Sequence, residues 1–133
     1  MTNKIDHIGV AVRDLDTQIV FYQDVLGLTC TCIEEVKEQK VRVAILPIGN
    51  TKIELLAPTS QESPIAKFIA KSGEGLHHVA YGVVDIEKAL EKAKSNGILL
   101  IDQKPRTGAE GSKIAFLHPK STGGVLIELC QKI

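Results

Sequence analysis

Two histidines and two glutamates occupy matched positions when this 133-residue sequence is aligned with itself. The alignment places His7 on His78 and Glu54 on Glu128. Two imidazoles and two carboxylates suit a divalent ion such as Co, Mn, Ni, Fe or Zn, and they leave coordination positions open for water or substrate oxygens. A single histidine or glutamate in a strand is usually an ordinary polar residue, but two matched pairs are hard to obtain on a solvated face. We therefore predict that these four residues bind one metal ion.

The other two histidines are weaker candidates for metal binding. His77 precedes His78, but both the self-alignment and the alternation of side chains along a strand favour His78, which leaves His77 on the core-side face. His118 precedes Pro119 and is typical of a loop residue. We assign neither of them a ligand role.

The same internal repeat predicts the fold. Residues 6–16 align with residues 77–87, and each stretch is an alternating strand that ends at an aspartate able to cap a helix. Strand-type segments follow each helix, which gives a β-α-β-β-β order twice. The predicted strands after the helices cover residues 28–35, 41–46 and 51–56 in the first half and 98–102, 113–117 and 125–130 in the second, with a loop over 104–112.

We therefore predict a single α+β domain over residues 1–133, built of two tandem modules, 4–57 and 75–131. A helix over residues 63–72, with Ser63 as its cap and Pro64 in its first turn, is predicted to join them. If a pseudo-twofold axis relates the modules and their sheets curl around a shared cleft, the four metal ligands converge there.

Small residues follow both ligand histidines along the first strands. His7 shares its predicted face with Gly9 and Ala11, and His78 shares its face with Ala80 and Gly82. Such residues leave space beside a polar side chain, and we expect the space to receive something other than protein.

Composition excludes several classes of function. The chain has 16 Lys and Arg against 16 Asp and Glu, and this balance argues against a nucleic-acid partner. No apolar run approaches the length of a membrane span, and the N-terminus has no signal-peptide pattern. The cysteines Cys30, Cys32 and Cys130 are odd in number, which argues against a secreted disulfide framework and favours the cytoplasm.

Several segments resemble the vicinal oxygen chelate superfamily, which includes glyoxalase I, and within it most closely the methylmalonyl-CoA epimerase family. The resemblance covers essentially the whole chain. It rests on Asp6–Val12, Ser63–Ala66, Gly75–Ala80, Phe116–Lys120 and Gly123–Leu129. It implies a glyoxalase-like fold, in which the modules form a curved, half-open β-sheet barrel around a metal cleft.

The resemblance also implies an activity. An epimerase of this kind interconverts the two C2 epimers of methylmalonyl-CoA by removing and returning the C2 proton through an enolate, with the help of one divalent ion per chain, with Co favoured. Glu54 and Glu128 would be both metal ligands and the two bases. Lys120, Ser121, Thr122 and Lys113 are weaker candidates for substrate contacts, and Arg106 for the CoA phosphates.

The sequence departs from part of this family at the second base. Some of these epimerases carry a glutamine where this chain has Glu54, and a glutamate at the place that matches Val43. Since the valine side chain has no ionisable group, we predict that Glu54 acts as the second base instead.

Two other functions compete with the epimerase. A glyoxalase I (lactoylglutathione lyase) would use the same four ligands, but the loop before Glu128 does not have the turn usual in those enzymes. A non-catalytic small-molecule-binding protein of the same fold would usually lack the ligand set. The strand edges expected in such a fold favour a homodimer.

Overall fold

The computed structural model describes residues 1–133 as three α-helices and eight β-strands. The helices are α1 (Leu15–Asp24), α2 (Pro64–Ser72) and α3 (Ile86–Ser95). The strands are β1 (Thr2–Ala11), β2 (Cys32–Val36), β3 (Val41–Ile48), β4 (Thr51–Pro58), β5 (Gly75–Val83), β6 (Arg106–Thr107), β7 (Lys113–Leu117) and β8 (Ile127–Gln131). The predicted β-α-β-β-β order therefore occurs twice, with α2 between the two occurrences.

The chain divides into two compact units. One comprises His7–His77, and the other comprises Met1–Asp6 together with His78–Ile133. The division falls within β1, so the first strand contributes residues to both units.

In the unit of residues 7–77, the strand order is β2-β3-β4-β1. The β1 strand runs parallel to β4, with Gly9 opposite Glu54, and the other two pairings are antiparallel. Helix α1 covers one face of this sheet, where Leu15 and Ile19 pack in a buried cluster with Leu55. The other face carries His7 and Glu54.

The second unit repeats this arrangement in the order β5-β8-β7-β6. The β5 strand runs parallel to β8, with Ala80 opposite Glu128, so this pairing has the same register as the Gly9–Glu54 pairing of the first unit. Helix α3 packs Ile86 and Leu90 against Leu129. The repeat predicted from sequence is thus also a repeat of strand register.

The predicted helix starts are confirmed. Asp14 accepts a hydrogen bond from the backbone N–H of Thr17, and Asp85 accepts the equivalent bond from Lys88. Ser63 caps α2 in the same way, with Pro64 in the first turn. These short polar side chains satisfy N–H groups that have no partner within the helix.

Two predicted strand segments are wrong. Residues 98–102 form only an isolated bridge between Leu100 and Leu117. The carboxylate of Asp102 accepts a hydrogen bond of 2.8 Å from Phe116 N, so a side chain takes a role that a strand backbone would have. The place of the predicted strand is taken by the two-residue β6, which lies inside the predicted loop 104–112 and pairs with β7. The β7 strand itself coincides with the predicted strand 113–117.

The segment 28–31 was predicted as the start of a strand, but β2 begins only at Cys32. The N–H of Cys30 donates to the side chain of Gln23, 3.1 Å away, and Thr31 N donates to Ile45 O. These single bonds hold the segment next to α1 and β3 without a ladder. Cys30 therefore lies outside the strand on which it was expected.

No helix in the structure has the length and the apolar character that crossing a membrane requires.

Candidate active site

The first site pair consists of His7 and Glu54, on neighbouring strands. His7 Nδ1 lies 3.3 Å from Glu54 Oε2, and each side chain is 5% exposed. The parallel pairing of β1 with β4 puts Gly9 directly opposite Glu54, and His7 lies two residues earlier on the same face. Strand register therefore brings the imidazole and the carboxylate together.

The second pair repeats the first. His78 Nε2 lies 3.1 Å from Glu128 Oε1, and both side chains are as deeply buried as those of the first pair. The β5–β8 register places Ala80 opposite Glu128, as Gly9 stands opposite Glu54 in the other unit. The pairs differ in the ring nitrogen that faces the carboxylate, Nδ1 in His7 and Nε2 in His78. Each unit thus holds a buried histidine–glutamate pair that can bind a cation or transfer a proton.

An aromatic ring and a guanidinium support the second pair. The ring of Phe116 meets His78 edge to face, with centroids 5.5 Å apart, and Phe116 stands opposite Glu128 in the β7–β8 ladder. The guanidinium of Arg106 lies 5.5 Å from the centroid of Phe116, and its Nε is 3.1 Å from Asp102 Oδ1. Arg106, which the sequence suggested for the CoA phosphates, therefore lies over the aromatic ring that contacts His78.

Sequence reasoning missed Lys52. Its side chain is only 11% exposed, and its Nζ lies 3.7 Å from Glu54 Oε2, the oxygen that also faces His7. A sequence signal was available, because residues 52 and 54 of one strand point to the same face. An imidazole and an ammonium thus approach one carboxylate.

The small residues beside the histidines do not all serve the purpose that we expected. A Cβ atom at position 82 would lie 2.6 Å from Asn3 Oδ1 and 3.2 Å from Lys4 Cγ. The space beside Gly82 is therefore filled by side chains from the start of β1. This part of the prediction, that the space receives something other than protein, is wrong at Gly82.

The predicted substrate contacts lie at two places. Lys120 and Ser121 belong to a short 3-10 turn (Pro119–Ser121) before β8, and Thr122 is the residue that caps its end. Ser121 Oγ accepts a hydrogen bond from Leu99 N, and Thr122 Oγ1 donates to Val125 O, while Lys120 is exposed. Lys113 is exposed on β7, opposite Gln131, and so it does not share the face of Glu128.

The two remaining histidines have local roles. His77 makes an edge-to-face contact with Phe68 of α2, with ring centroids 4.8 Å apart. His118 accepts a hydrogen bond from Lys120 N on its Nδ1 and so caps the 3-10 turn.

Comparison with known proteins places the chain in a family. The family described as Glyoxalase/Bleomycin resistance protein/Dioxygenase superfamily matches residues 6–116. The chain is 40% identical to the mitochondrial methylmalonyl-CoA epimerase of Mus musculus over 96% of this chain and 72% of that protein. It is 37% identical to the ethylmalonyl-CoA/methylmalonyl-CoA epimerase of Cereibacter sphaeroides over 98% of this chain and 99% of that one.

Solved structures agree with the sequence relatives. A methylmalonyl-CoA epimerase in complex with methylmalonyl-CoA and ammonium superposes with a TM-score of 0.96 at 39% identity, covering 99% of this chain and 96% of that one. The predicted α+β, glyoxalase-like fold is thereby confirmed. The chain belongs to the Glyoxalase/Bleomycin resistance protein/Dioxygenase superfamily and, within it, to the methylmalonyl-CoA epimerase family.

Proposed function

We propose that this protein is an isomerase that interconverts (2R)- and (2S)-methylmalonyl-CoA by deprotonation and reprotonation at C2. The observation that carries the proposal is the pair of buried histidine–glutamate contacts, at equivalent register positions, in a chain of the epimerase family. A glyoxalase I activity, the alternative considered from the sequence, is not favoured by these relatives. A binding protein without catalysis is not favoured either, because it would not need the carboxylates.

The donor set fits a divalent metal ion. His7 and His78 offer imidazole nitrogens, and Glu54 and Glu128 offer carboxylate oxygens, all four from buried side chains. We propose that these residues hold one ion per chain, with cobalt as the first candidate and Mn, Ni, Fe and Zn as alternatives. When bound, such an ion supplies electrostatic stabilisation for the negative charge that develops on the substrate oxygens.

The two glutamates supply the proton transfers in this proposal. The C2 proton of methylmalonyl-CoA lies between a carboxylate and a thioester carbonyl, so its removal gives an enolate with delocalised charge. One glutamate takes the proton from one side of C2, and the protonated form of the other returns a proton to the opposite side. The internal symmetry predicted from the sequence motivates this division of labour between Glu54 and Glu128.

Position 43, where some of these epimerases carry a glutamate, is a valine in this chain and offers no base. Val43 is buried on β3 and stands opposite Leu56, two positions along the same ladder from the Ile45–Glu54 pairing. Val43 therefore lies on the face that carries Glu54. We therefore assign the duty of the second base to Glu54, because valine has no ionisable group.

The remaining parts of the proposal concern substrate and assembly. Lys120, Ser121, Thr122 and Lys113 remain predicted contacts for the CoA thioester. A homodimer is supported by exposed apolar side chains around the end of α1, where Val20, Phe21, Val25 and Leu26 are each at least 44% exposed. A cytoplasmic location is supported by three cysteines that are all free thiols.

The test is exchange of the C2 proton of a single methylmalonyl-CoA epimer in D2O, followed by mass spectrometry and by a stereospecific assay. Protein reconstituted with cobalt is expected to incorporate deuterium and to convert the single epimer into a mixture. Metal-free protein is the control. If the cobalt-loaded protein leaves both the proton and the configuration intact, the epimerase proposal is wrong.

A further inference from the structure

Lys52 is the one buried lysine on the face that carries a proposed base, and the function proposed above assigns it no role. It lies on β4, two residues before Glu54, and stands opposite Pro47 in the β3–β4 ladder. Its Nζ lies 3.7 Å from Glu54 Oε2. An ammonium with so little solvent exposure requires anionic partners, because burying an unpaired charge is costly.

The fold itself does not require a charge at this position. In the internal repeat, Lys52-Ile53-Glu54 corresponds to Leu126-Ile127-Glu128. Leu126 packs against the buried cluster that contains Phe116. The equivalent place in the other unit is thus filled by an apolar side chain, and the charge at position 52 is particular to the unit that carries Glu54.

Charge within the unit points to the kind of partner. Glu54 is the carboxylate that faces Lys52, but the proposed function also commits Glu54 to a cation and to a proton. While Glu54 is engaged in that way, an anionic group on the bound molecule is the complement of the lysine. Methylmalonyl-CoA differs from an ordinary acyl-CoA by one carboxylate, which is attached to the carbon that loses its proton.

We propose that Lys52 binds the free carboxylate of the substrate and so makes the site selective for 2-carboxyacyl thioesters over simple acyl thioesters. The proposal rests on the proposed function, since it presumes that such a thioester enters this site. Lys52 acts through its positive charge, as a specificity-determining residue, and takes no part in proton transfer.

The experiment compares two ligands that differ by this one group. Malonyl-CoA and acetyl-CoA are titrated into cobalt-loaded protein by isothermal calorimetry, and the ratio of their dissociation constants is measured. In Lys52→Met, the preference for malonyl-CoA is expected to fall by about 30-fold or more, the factor that corresponds to the loss of one buried charge partner. The affinity for acetyl-CoA is expected to stay the same.

Two further variants make the result specific. Lys67→Met removes an exposed lysine from α2 of the same unit and is expected to keep the wild-type ratio. Lys52→Gln repeats the measurement with a polar side chain, so that a folding defect of the methionine variant does not decide the outcome. Cobalt content and thermal unfolding are measured for each protein.

The outcomes separate this inference from the proposed function. If the wild type exchanges the C2 proton and prefers malonyl-CoA, but the folded Lys52 variants keep that preference, the role of Lys52 is refuted and the epimerase stands. A wild type that neither exchanges the proton nor prefers malonyl-CoA overturns the epimerase, and the role of Lys52 with it. A selective loss of the preference in both Lys52 variants supports the proposal.

Discussion

Glutamine in place of Glu54 keeps the size of the side chain and one oxygen acceptor, and it removes the group that carries a proton. The structure makes this a demanding test, because Glu54 Oε2 lies 3.3 Å from His7 Nδ1 and 3.7 Å from Lys52 Nζ. An amide oxygen can still accept a hydrogen bond from either of them. The substitution therefore separates loss of the base from loss of the surrounding packing.

The expected effect on turnover is large. General acid–base catalysis by one side chain contributes about 10²- to 10⁴-fold, which corresponds to about 2.7 to 5.4 kcal/mol in the activation barrier. We expect Glu54→Gln to lose epimerisation by a factor in this range. Metal binding is expected to persist, because three ligands are unchanged and the amide oxygen remains a donor.

The stereochemistry of exchange gives the sharper readout. With Glu54 disabled and Glu128 intact, one epimer still loses its C2 proton to Glu128 and receives deuterium back from the same residue. That epimer is expected to exchange in D2O with retention of configuration, while the other epimer exchanges at least about 100-fold more slowly than in the wild type.

The control is the opposite substitution, Glu128→Gln, which is expected to reverse the preference for the exchanging epimer. Both epimers are incubated separately with each cobalt-loaded variant, and deuterium and configuration are followed by mass spectrometry and by a stereospecific assay. Unchanged epimerisation in Glu54→Gln would refute the assignment of Glu54 as a base. Equal loss of exchange from both epimers, with cobalt still bound, would refute the division of labour between the two glutamates.

Three further predictions concern the scaffold. Leu55→Ala is expected to lower the free energy of unfolding by about 2 to 5 kcal/mol in urea titrations, because Leu55 is fully buried against α1; a loss below about 1 kcal/mol would contradict this packing. Gly108→Ala is expected to cost about 1 to 3 kcal/mol, since the added Cβ would lie 2.7 Å from Ile114 Cγ2. In the double variant with Ile114→Ala, which lacks that atom, the total loss should be smaller than the sum of the two single losses. The pKa of Asp14 is lowered by the hydrogen bond from the Thr17 backbone N–H and then by the Thr17 hydroxyl, so its stabilisation is present above the usual carboxyl pKa and is lost as the pH falls through the folded-state value. The stability difference between the wild type and Asp14→Ala, measured by thermal melts, should therefore shrink on acidification, and a constant difference down to low pH would contradict the cap.

Local signals in the sequence were sufficient for the helices and for the choice of the four candidate site residues. Asp14, Ser63 and Asp85 predict helix starts because their short polar side chains can accept hydrogen bonds from the free N–H groups of the first turn. The alternation in β1 and β5 predicts which residues share a face with each histidine, since the period of a strand is two. The repeat matched His7 with His78 and Glu54 with Glu128, and the structure shows that each unit brings its histidine and its glutamate within 3.3 Å.

Other features depend on which neighbour a residue meets, and a single sequence does not specify that. Residues 98–102 have the composition of a strand, but a few backbone hydrogen bonds, one bridge and the Asp102 carboxylate hold them beside β7 without a continuous ladder. Helix α1 carries several apolar residues, of which Leu15 and Ile19 are buried while Val20 and Phe21 are exposed. The positions of these residues along the helix do not determine how much of the helix surface packs against the sheet.

The sequence by itself determined the doubled order of elements and the helix caps, because these depend on periodicity and local hydrogen bonding. It also indicated the four candidate metal ligands, because their residue types recur at matched positions of the repeat. Only the tertiary structure decided that Gly82 makes room for Asn3 and that Lys52 is buried beside Glu54. The first joins segments far apart in the chain. For the second, alternation along β4 predicts that residues 52 and 54 share a face, but the burial of the lysine depends on what packs over that face. Whether a small residue leaves space for a ligand, or a lysine remains in water, depends on what the rest of the fold places next to it.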